Sequence, residues 1–249
     1  MARLVAGVGV VLGAIAGLLV TQVFLLSRRT YLPMDPGYVI DERVGPPDGM
    51  PLRIAVLGDS TVAGVGSPTA RESLPVLIAE RVARGLGRPV GVIGLGVSGA
   101  RTATLANQLE RLSAMGTVDA IVIVVGSNDS THATPWAAFR RHTDRMLTKA
   151  TSLAGVVVLA GTPRFKGNRI IPEPLRSMVD AYSWLLRGQQ RAAVRRLPGT
   201  RFVDLAADAS PRFLGVPDAT SVDGFHPSPM GYGFWADALA PVVVDAIDG

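Results

Sequence analysis

The chain contains no cysteine. That excludes thiolate metal centres, a cysteine nucleophile and any disulfide framework, and it leaves the redox compartment open. Histidine is almost as scarce: His132, His142 and His226 are the only three, and no histidine or carboxylate cluster has metal-ligand spacing. Charge is thin too. Charged side chains make up 18% of the 249 residues and hydrophobic ones 48%, a balance that rules out a disordered solvating chain and leaves ample length for a core without staples. The net charge is +5, from 25 basic and 20 acidic residues, but Arg3, Arg28 and Arg29 fall in an acid-free N-terminal stretch. Residues 30–249 thus carry 22 basic and 20 acidic side chains, net +2, so neither a basic groove on the folded domain nor a nucleic-acid partner is expected. Two phosphate- and acyl-transfer signatures are missing as well: no Gly-Lys-Ser/Thr ends a P-loop, and no G-x-S-x-G forms the elbow of an ordinary α/β-hydrolase.

One long apolar run is present. Leu4 to Leu26 are uncharged, with Thr21 and Gln22 the only polar side chains, and Arg3 and Arg28–Arg29 bracket them. As a helix rising about 1.5 Å per residue the run is long enough to cross roughly 30 Å of hydrocarbon. Residues 1–29 therefore read as a transmembrane anchor or as a signal segment with Ala14-Ile15-Ala16 as its cleavage site. Apolar character persists for ten residues past Ala16, which favours the anchor. The arginines give no clear orientation, and a single N-terminal anchor points to export, that is, to a membrane-anchored or exported protein of the cell envelope. Residues 30–50, with Pro33, Pro36, Pro46, Pro47, Gly37, Gly45 and Gly49, read as a linker, so the domain is expected over 51–249.

From Leu52 onward short β-branched runs alternate with amphipathic stretches of helical length. Strands are predicted at Leu52–Leu57, Val90–Gly94, Ala120–Val125, Val156–Ala160 and Arg201–Val203, with helices at Glu72–Leu86, Thr102–Met115, Pro135–Ala150, Pro174–Leu197 and Pro229–Ile247. This alternation predicts an α/β fold with a five-stranded parallel sheet covered on both faces. Ligands of such sheets bind at the carboxyl ends of the strands, so the residues that follow each strand carry the chemistry.

Those residues differ from strand to strand. Gly58-Asp59-Ser60-Thr61 follows the first, and Ser60, between a buried strand and a helical segment, is the candidate nucleophile. Gly94-Leu95-Gly96-Val97-Ser98-Gly99 follows the second and Gly126-Ser127-Asn128-Asp129 the third. The Gly99 amide and the Asn128 side chain are candidate donors to an oxyanion. Asp223-Gly224-Phe225-His226-Pro227 precedes the last helix, and Asp223, three residues before His226, is placed to orient a histidine base. Each motif alone also suits an ordinary turn or cap. In this order, each at a strand end, they resemble the SGNH, or GDSL-type, hydrolase superfamily over roughly Leu52 to the C-terminus.

The resemblance implies a three-layer α/β/α, flavodoxin-like fold and ester hydrolysis without a cofactor. It implies Ser60 as nucleophile, His226 as base, Asp223 as its orienter, and an oxyanion hole of the Ser60 amide, the Gly99 amide and the Asn128 side chain. Thr61 stands where the name-giving motif has leucine. Substrates are expected among small-molecule, lipid or acylated-glycan esters, with contact to a membrane through residues 4–26. Two functional alternatives share the site: a tethered acyltransferase, and an idle glycan- or lipid-binding module. A third comes from the string Gly94 to Gly99, formally G-x-G-x-x-G with Asp119 twenty residues on, but this acid opens a strand where a dinucleotide site needs it to close one.

Overall fold

The computed structural model describes residues 2–249, with side chains from residue 13 onward. Helix α1 (Ala2–Ser27) leads into strand β1 (Asp41–Val44), and β2 (Leu52–Gly58) is followed by the single turn α2 (Ser60–Ala63) and by α3 (Leu74–Leu86). Then come β3 (Val90–Gly94), α4 (Leu105–Met115), β4 (Val118–Val124), α5 (Ser127–Thr131), α6 (Trp136–Thr151), β5 (Ala154–Ala160), α7 (Leu175–Arg196), β6 (Thr200–Val203), α8 (Leu205–Asp208) and α9 (Pro229–Asp248). The sheet has six strands in the order β1-β3-β2-β4-β5-β6. Five are parallel, as expected, and β1 is an added antiparallel edge strand paired from Asp41↔Ile93 to Val44↔Val90.

Residues 30–50 are thus more than a spacer. Ile40 is buried, accepts from the Gly94 amide at 2.9 Å and packs in the core, while the Tyr38 hydroxyl donates to the Gly64 and Ser67 carbonyls at 2.9 and 3.0 Å. The strand escapes sequence pattern because it is short and half-exposed, and its Asp-Glu-Arg-Val carries three charges, as edge strands commonly do.

Both faces of the sheet are covered because successive side chains of a strand point to opposite sides. Ile54, Val56, Val122 and Val158 pack beneath α3 and α9. Ala55, Leu57, Ile121, Ile123, Val157 and Leu159 pack on the other face with Leu109 of α4, Leu147 of α6 and Ala193 of α7. The strand interiors are continuous apolar runs for this reason, and polar residues begin where the strands end.

Among the described residues no helix is long and apolar enough to cross a membrane. The predicted span Leu4–Leu26 falls partly outside them, since the side chains of residues 4–12 are not described. The C-terminal part of α1 lies against the domain. Gln22, 6% exposed, donates to the Glu173 carbonyl at 2.6 Å and accepts from the Leu175 amide at 3.3 Å, and Leu26 packs against the small cluster of Phe165, Ile171 and Val179.

Candidate active site

Ser60 opens α2 two residues after β2 ends. Asp59 caps this turn: its Oδ1 accepts from the Thr61 amide at 3.0 Å and the Thr61 hydroxyl at 2.8 Å. Burial pushes the Asp59 carboxyl above its ordinary pKa, against the pull of those two bonds. Upstream, the buried Gln108 of α4 accepts from the Gly58 amide at 2.9 Å and donates to the Gly58 carbonyl at 2.7 Å. The backbone entering Ser60 is thereby clamped from both sides. As the first residue of α2, Ser60 has an amide without an intrahelical acceptor.

The last loop delivers the other two groups. His226 Nε2 lies 3.0 Å from Ser60 Oγ, and Nδ1 lies 2.6 Å from Asp223 Oδ2. Ser60, Asp223 and His226 are 6%, 7% and 4% exposed, so the chain of bonds is shielded from water. Asp223 Oδ1 accepts from the amides of Phe225 at 2.8 Å and His226 at 3.0 Å, which fixes the carboxylate on the backbone of the very residues it serves. Burial raises the Asp223 pKa, but the His226 imidazole and these amides outweigh it and hold the carboxyl below its ordinary value. An ionised Asp223 accepts a hydrogen bond from Nδ1–H, which keeps the proton on Nδ1 and leaves Nε2 free to accept from the serine hydroxyl.

Asn128 lies in α5, just past β4. Its Nδ2 donates to the Ala100 carbonyl at 3.1 Å, which engages one of the two N–H bonds and leaves the second. The neighbouring Asp129 accepts from the amide and hydroxyl of Thr102, both at 2.9 Å, and so ties the Asn128 turn to the loop that carries Gly99. Gly99 sits at φ +77° in a turn closed by the Ala100 amide on the Val97 carbonyl, a conformation that favours glycine, and a Cβ there would meet nothing. Gly96 has a different reason to be glycine. A Cβ there would lie 2.3 Å from the Ala63 nitrogen, so it permits close packing of this loop on α2.

These groups face a cavity of about 700 Å³ lined by Ser60, Asn128 and His226. Two irregular connections wall it. Phe213, Leu214 and Val216 come from the connection between β6 and α9, and Arg164, Lys166, Arg169 and Arg176 from that between β5 and α7. The small net charge of the domain concealed this: residues 163–176 carry four cations and the single acid Glu173. The N-terminal segment also reaches the site. The Leu32 amide points at Asp223 Oδ2 at 3.4 Å, and the Tyr31 ring meets Phe225 edge-on with centroids 5.8 Å apart.

The structure therefore brings Ser60, His226 and Asn128 to one cavity, with Asp223 behind the His226 imidazole and Gly99 in the adjoining loop. The other two histidines stay apart. His132 is bonded through Nδ1 to the Asn128 carbonyl at 2.9 Å and is exposed, and His142 lies on α6 away from the cavity lining. Asp119 accepts from the Arg53 amide at 2.7 Å where β2 begins, at the opposite end of the sheet, so it serves no ligand at Gly94–Gly99. Among the described residues no group of three or more acids or histidines could hold a metal. Gln108, Tyr31 and Leu32 escaped the sequence reading. A glutamine on a helix and apolar residues beside a proline carry no signal of a distant partner.

A hydroxyl, an imidazole and a carboxylate in series at the carboxyl edge of a parallel sheet are the working parts of a serine ester hydrolase. The chain belongs to the GDSL-like lipase/acylhydrolase family, whose model matches residues 56–234. A search of curated proteins gives no match. Solved structures share the fold. A lipolytic protein of the G-D-S-L family from Veillonella parvula superposes with a TM-score of 0.61 at 13% identity, over 75% of this chain and 95% of that one. An alpha/beta hydrolase enzyme from the metagenome of Lake Arreo gives 0.60 at 17%, over 79% and 95%. An acetylxylan esterase from Geobacillus stearothermophilus gives 0.54 at 18%, over 80% and 94%.

Proposed function

We propose that the protein hydrolyses carboxylic esters of lipid or acylated-glycan type through an acyl-enzyme on Ser60. The observation that carries this is the Ser60 Oγ–His226 Nε2 distance of 3.0 Å, with Asp223 2.6 Å behind the imidazole. His226 takes the hydroxyl proton as Ser60 Oγ attacks the acyl carbonyl. The Ser60 and Gly99 amides and the free N–H of Asn128 hold the oxygen as it becomes negative. Collapse of the tetrahedral intermediate breaks the ester C–O bond, and His226 returns the proton to the departing alcohol. A water then gives its proton to His226 and attacks the acyl carbon, releasing the acid and restoring Ser60. The test is a panel of p-nitrophenyl esters from acetyl to palmitoyl, with a fluorophosphonate label located by mass spectrometry. Turnover with the label on Ser60 is expected, and a label on any other residue overturns the assignment.

Residues 4–26 tether this chemistry to a membrane of the cell envelope in the same reading. Its support is the uncharged run itself, together with the exposure of Ile15, Leu18, Val20, Val23, Phe24 and Leu25 along α1. Full-length protein is expected to stay with membranes through an alkaline wash, whereas a mature N-terminus at Gly17 would replace the tether with a cleaved signal.

A further inference from the structure

The two walls of the cavity differ in kind, and the difference bears on the substrate. On the β6–α9 side, Phe213, Val216 and the inner Trp235 offer apolar surface. On the β5–α7 side, Arg164, Lys166, Arg169 and Arg176 line the same space. Among the described residues the only carboxylate in the lining is Asp59, buried and held toward its neutral form. The acids of the cationic stretch are already engaged. Glu173 pairs with Arg176 at 2.8 Å and accepts from the Ser177 amide, and Asp180 Oδ1 accepts from the amides of Phe165 at 2.7 Å and Lys166 at 3.1 Å. Among the described residues no carboxylate comes within 4.0 Å of the Arg164, Lys166 or Arg169 side chains.

Residues 163–176 carry net +3, whereas all of residues 30–249 carry +2. Three of the four cations on this wall have no carboxylate within 4.0 Å, so the wall keeps a positive excess where a ligand enters. The stretch is also firmly seated: Phe165 and Ile171 are 5% and 3% exposed, and Gln22 of α1 holds the backbone on both sides of Pro174. Its cations are therefore presented by a fixed backbone.

We propose that the substrates are esters whose alcohol portion bears an anionic group, a phosphate or a carboxylate, bound by Arg164, Lys166 and Arg169. This rests on the reading of Ser60 as the acyl-accepting nucleophile. The inner apolar wall suits the acyl group, which stays on the enzyme after the first step. The three cations are exposed at the mouth, where the alcohol departs and where a charged group keeps part of its hydration. Guanidinium and ammonium donors facing an anion form the stronger, charge-assisted class of hydrogen bond.

The test compares matched esters on the full-length protein: 1-acetylglycerol 3-phosphate against 1-acetylglycerol, and the same pair with lauroyl in neutral detergent micelles. The phosphate ester is expected to be preferred in kcat/KM by about 10-fold or more. In the Arg164→Gln, Lys166→Gln, Arg169→Gln triple variant the ratio is expected to fall toward one. If that variant does not fold, raising salt from low to high ionic strength on the unmodified protein is expected to erode the ratio instead. Preference in the lauroyl pair alone marks a lipid headgroup as the source of the anion, and preference in both pairs marks a soluble phosphate ester; either supports the proposal. A ratio near one in both pairs, with hydrolysis intact, overturns it. No hydrolysis of any of the four esters and no fluorophosphonate label on Ser60 overturns the underlying esterase reading as well.

Discussion

The serine side and the histidine side of the site are held by different means. Ser60 inherits its position from the sheet: β2 runs buried into Gly58, Gln108 grips both polar groups of that residue, and Asp59 caps the turn that follows. Asp223 and His226 sit in a stretch with no regular element, between Ala219 and α9. That loop holds itself. The Ser221 amide donates to the His226 carbonyl at 2.8 Å, the Ser221 hydroxyl donates to the Pro227 carbonyl at 2.8 Å, and Thr220 bridges to Pro227. Tyr31 and Leu32 then brace it from nearly 200 residues away in sequence. The backbone position of Ser60 is thus tied to the sheet, whereas that of His226 depends on local bonds that can loosen without unfolding the sheet.

The largest expected effects test the shared line of bonds. Ser60→Ala and His226→Ala are each expected to lower kcat by at least ~10³-fold with little change in melting temperature, since each removes the acyl-enzyme route. Asp223→Asn is expected to cost up to ~10⁴, because an amide in place of the carboxylate no longer selects the tautomer that leaves Nε2 free. The sign of its pH dependence follows from the depressed pKa. Ionised Asp223 contributes stability that is fully present above the ordinary carboxylate value of 3.8 and is lost as pH falls through the lower folded value. An acid melt of Asp223→Asn should lack that part of the loss, and a variant with the same acid limb as the parent would argue against it.

Asn128 comes next. If its free N–H meets the oxyanion, Asn128→Ala is expected to lower kcat by roughly 10²- to 10³-fold with KM little changed. Asn128→Asp, which sets a negative charge against the oxyanion, should be at least as damaging. An active Asn128→Asp enzyme would make this residue a turn former and nothing more.

On the serine side a stability change should accompany the loss of rate. Gln108→Ala leaves the buried Gly58 amide without a partner and the Gly58 carbonyl with the Val97 amide alone, and is expected to cost about 1–3 kcal/mol of stability along with activity. Chain truncation separates the regions further. A chain starting at Gly37 keeps Tyr38, Ile40 and β1, whereas one starting at Pro51 loses the edge strand and the Ile40 side chain, whose burial alone is worth about 2–5 kcal/mol. Equal melting temperatures for the two chains would show that β1 adds nothing to the fold.

The same contrast explains how much could be read from the sequence. The Asp223–His226 pair was singled out by its i, i+3 spacing ahead of the last helix, and Ser60 and Asn128 because a buried parallel strand is a continuous apolar run and the polar residues after it stand out. The five parallel strands and the five long helices of the domain follow their predicted spans closely for the same reason. β1 was not legible: three of its four residues are charged, and prolines flank it on both sides. Gln108 reads as a solvated helix residue because nothing local distinguishes it from Asn107 and Glu110, which are exposed on the same helix. The cationic wall was invisible to a net count, since acids elsewhere in the chain cancel it. In each case the missing information is a contact between distant residues, which composition and period do not encode.

The smallest expected effect concerns the brace on the histidine side. The Tyr31 ring meets Phe225 edge-on, and Phe225 in turn meets the His226 ring edge-on with centroids 5.2 Å apart. The Tyr31 hydroxyl plays a separate part, donating to the Leu26 carbonyl at 3.1 Å. Ring contact and hydroxyl can therefore be removed one at a time. An edge-to-face aromatic pair is worth about 0.5–1.5 kcal/mol beyond its area, so Tyr31→Ala is expected to lower kcat by roughly two- to ten-fold. Tyr31→Phe keeps the ring and should retain the parent rate. Neither change touches the sheet, so both melting temperatures should stay near that of the parent. If the hydroxyl bond at the end of α1 were what matters, the phenylalanine variant would lose as much as the alanine one. If the N-terminal segment only passes by, alanine would cost nothing, and the histidine side would then rest on its own loop alone.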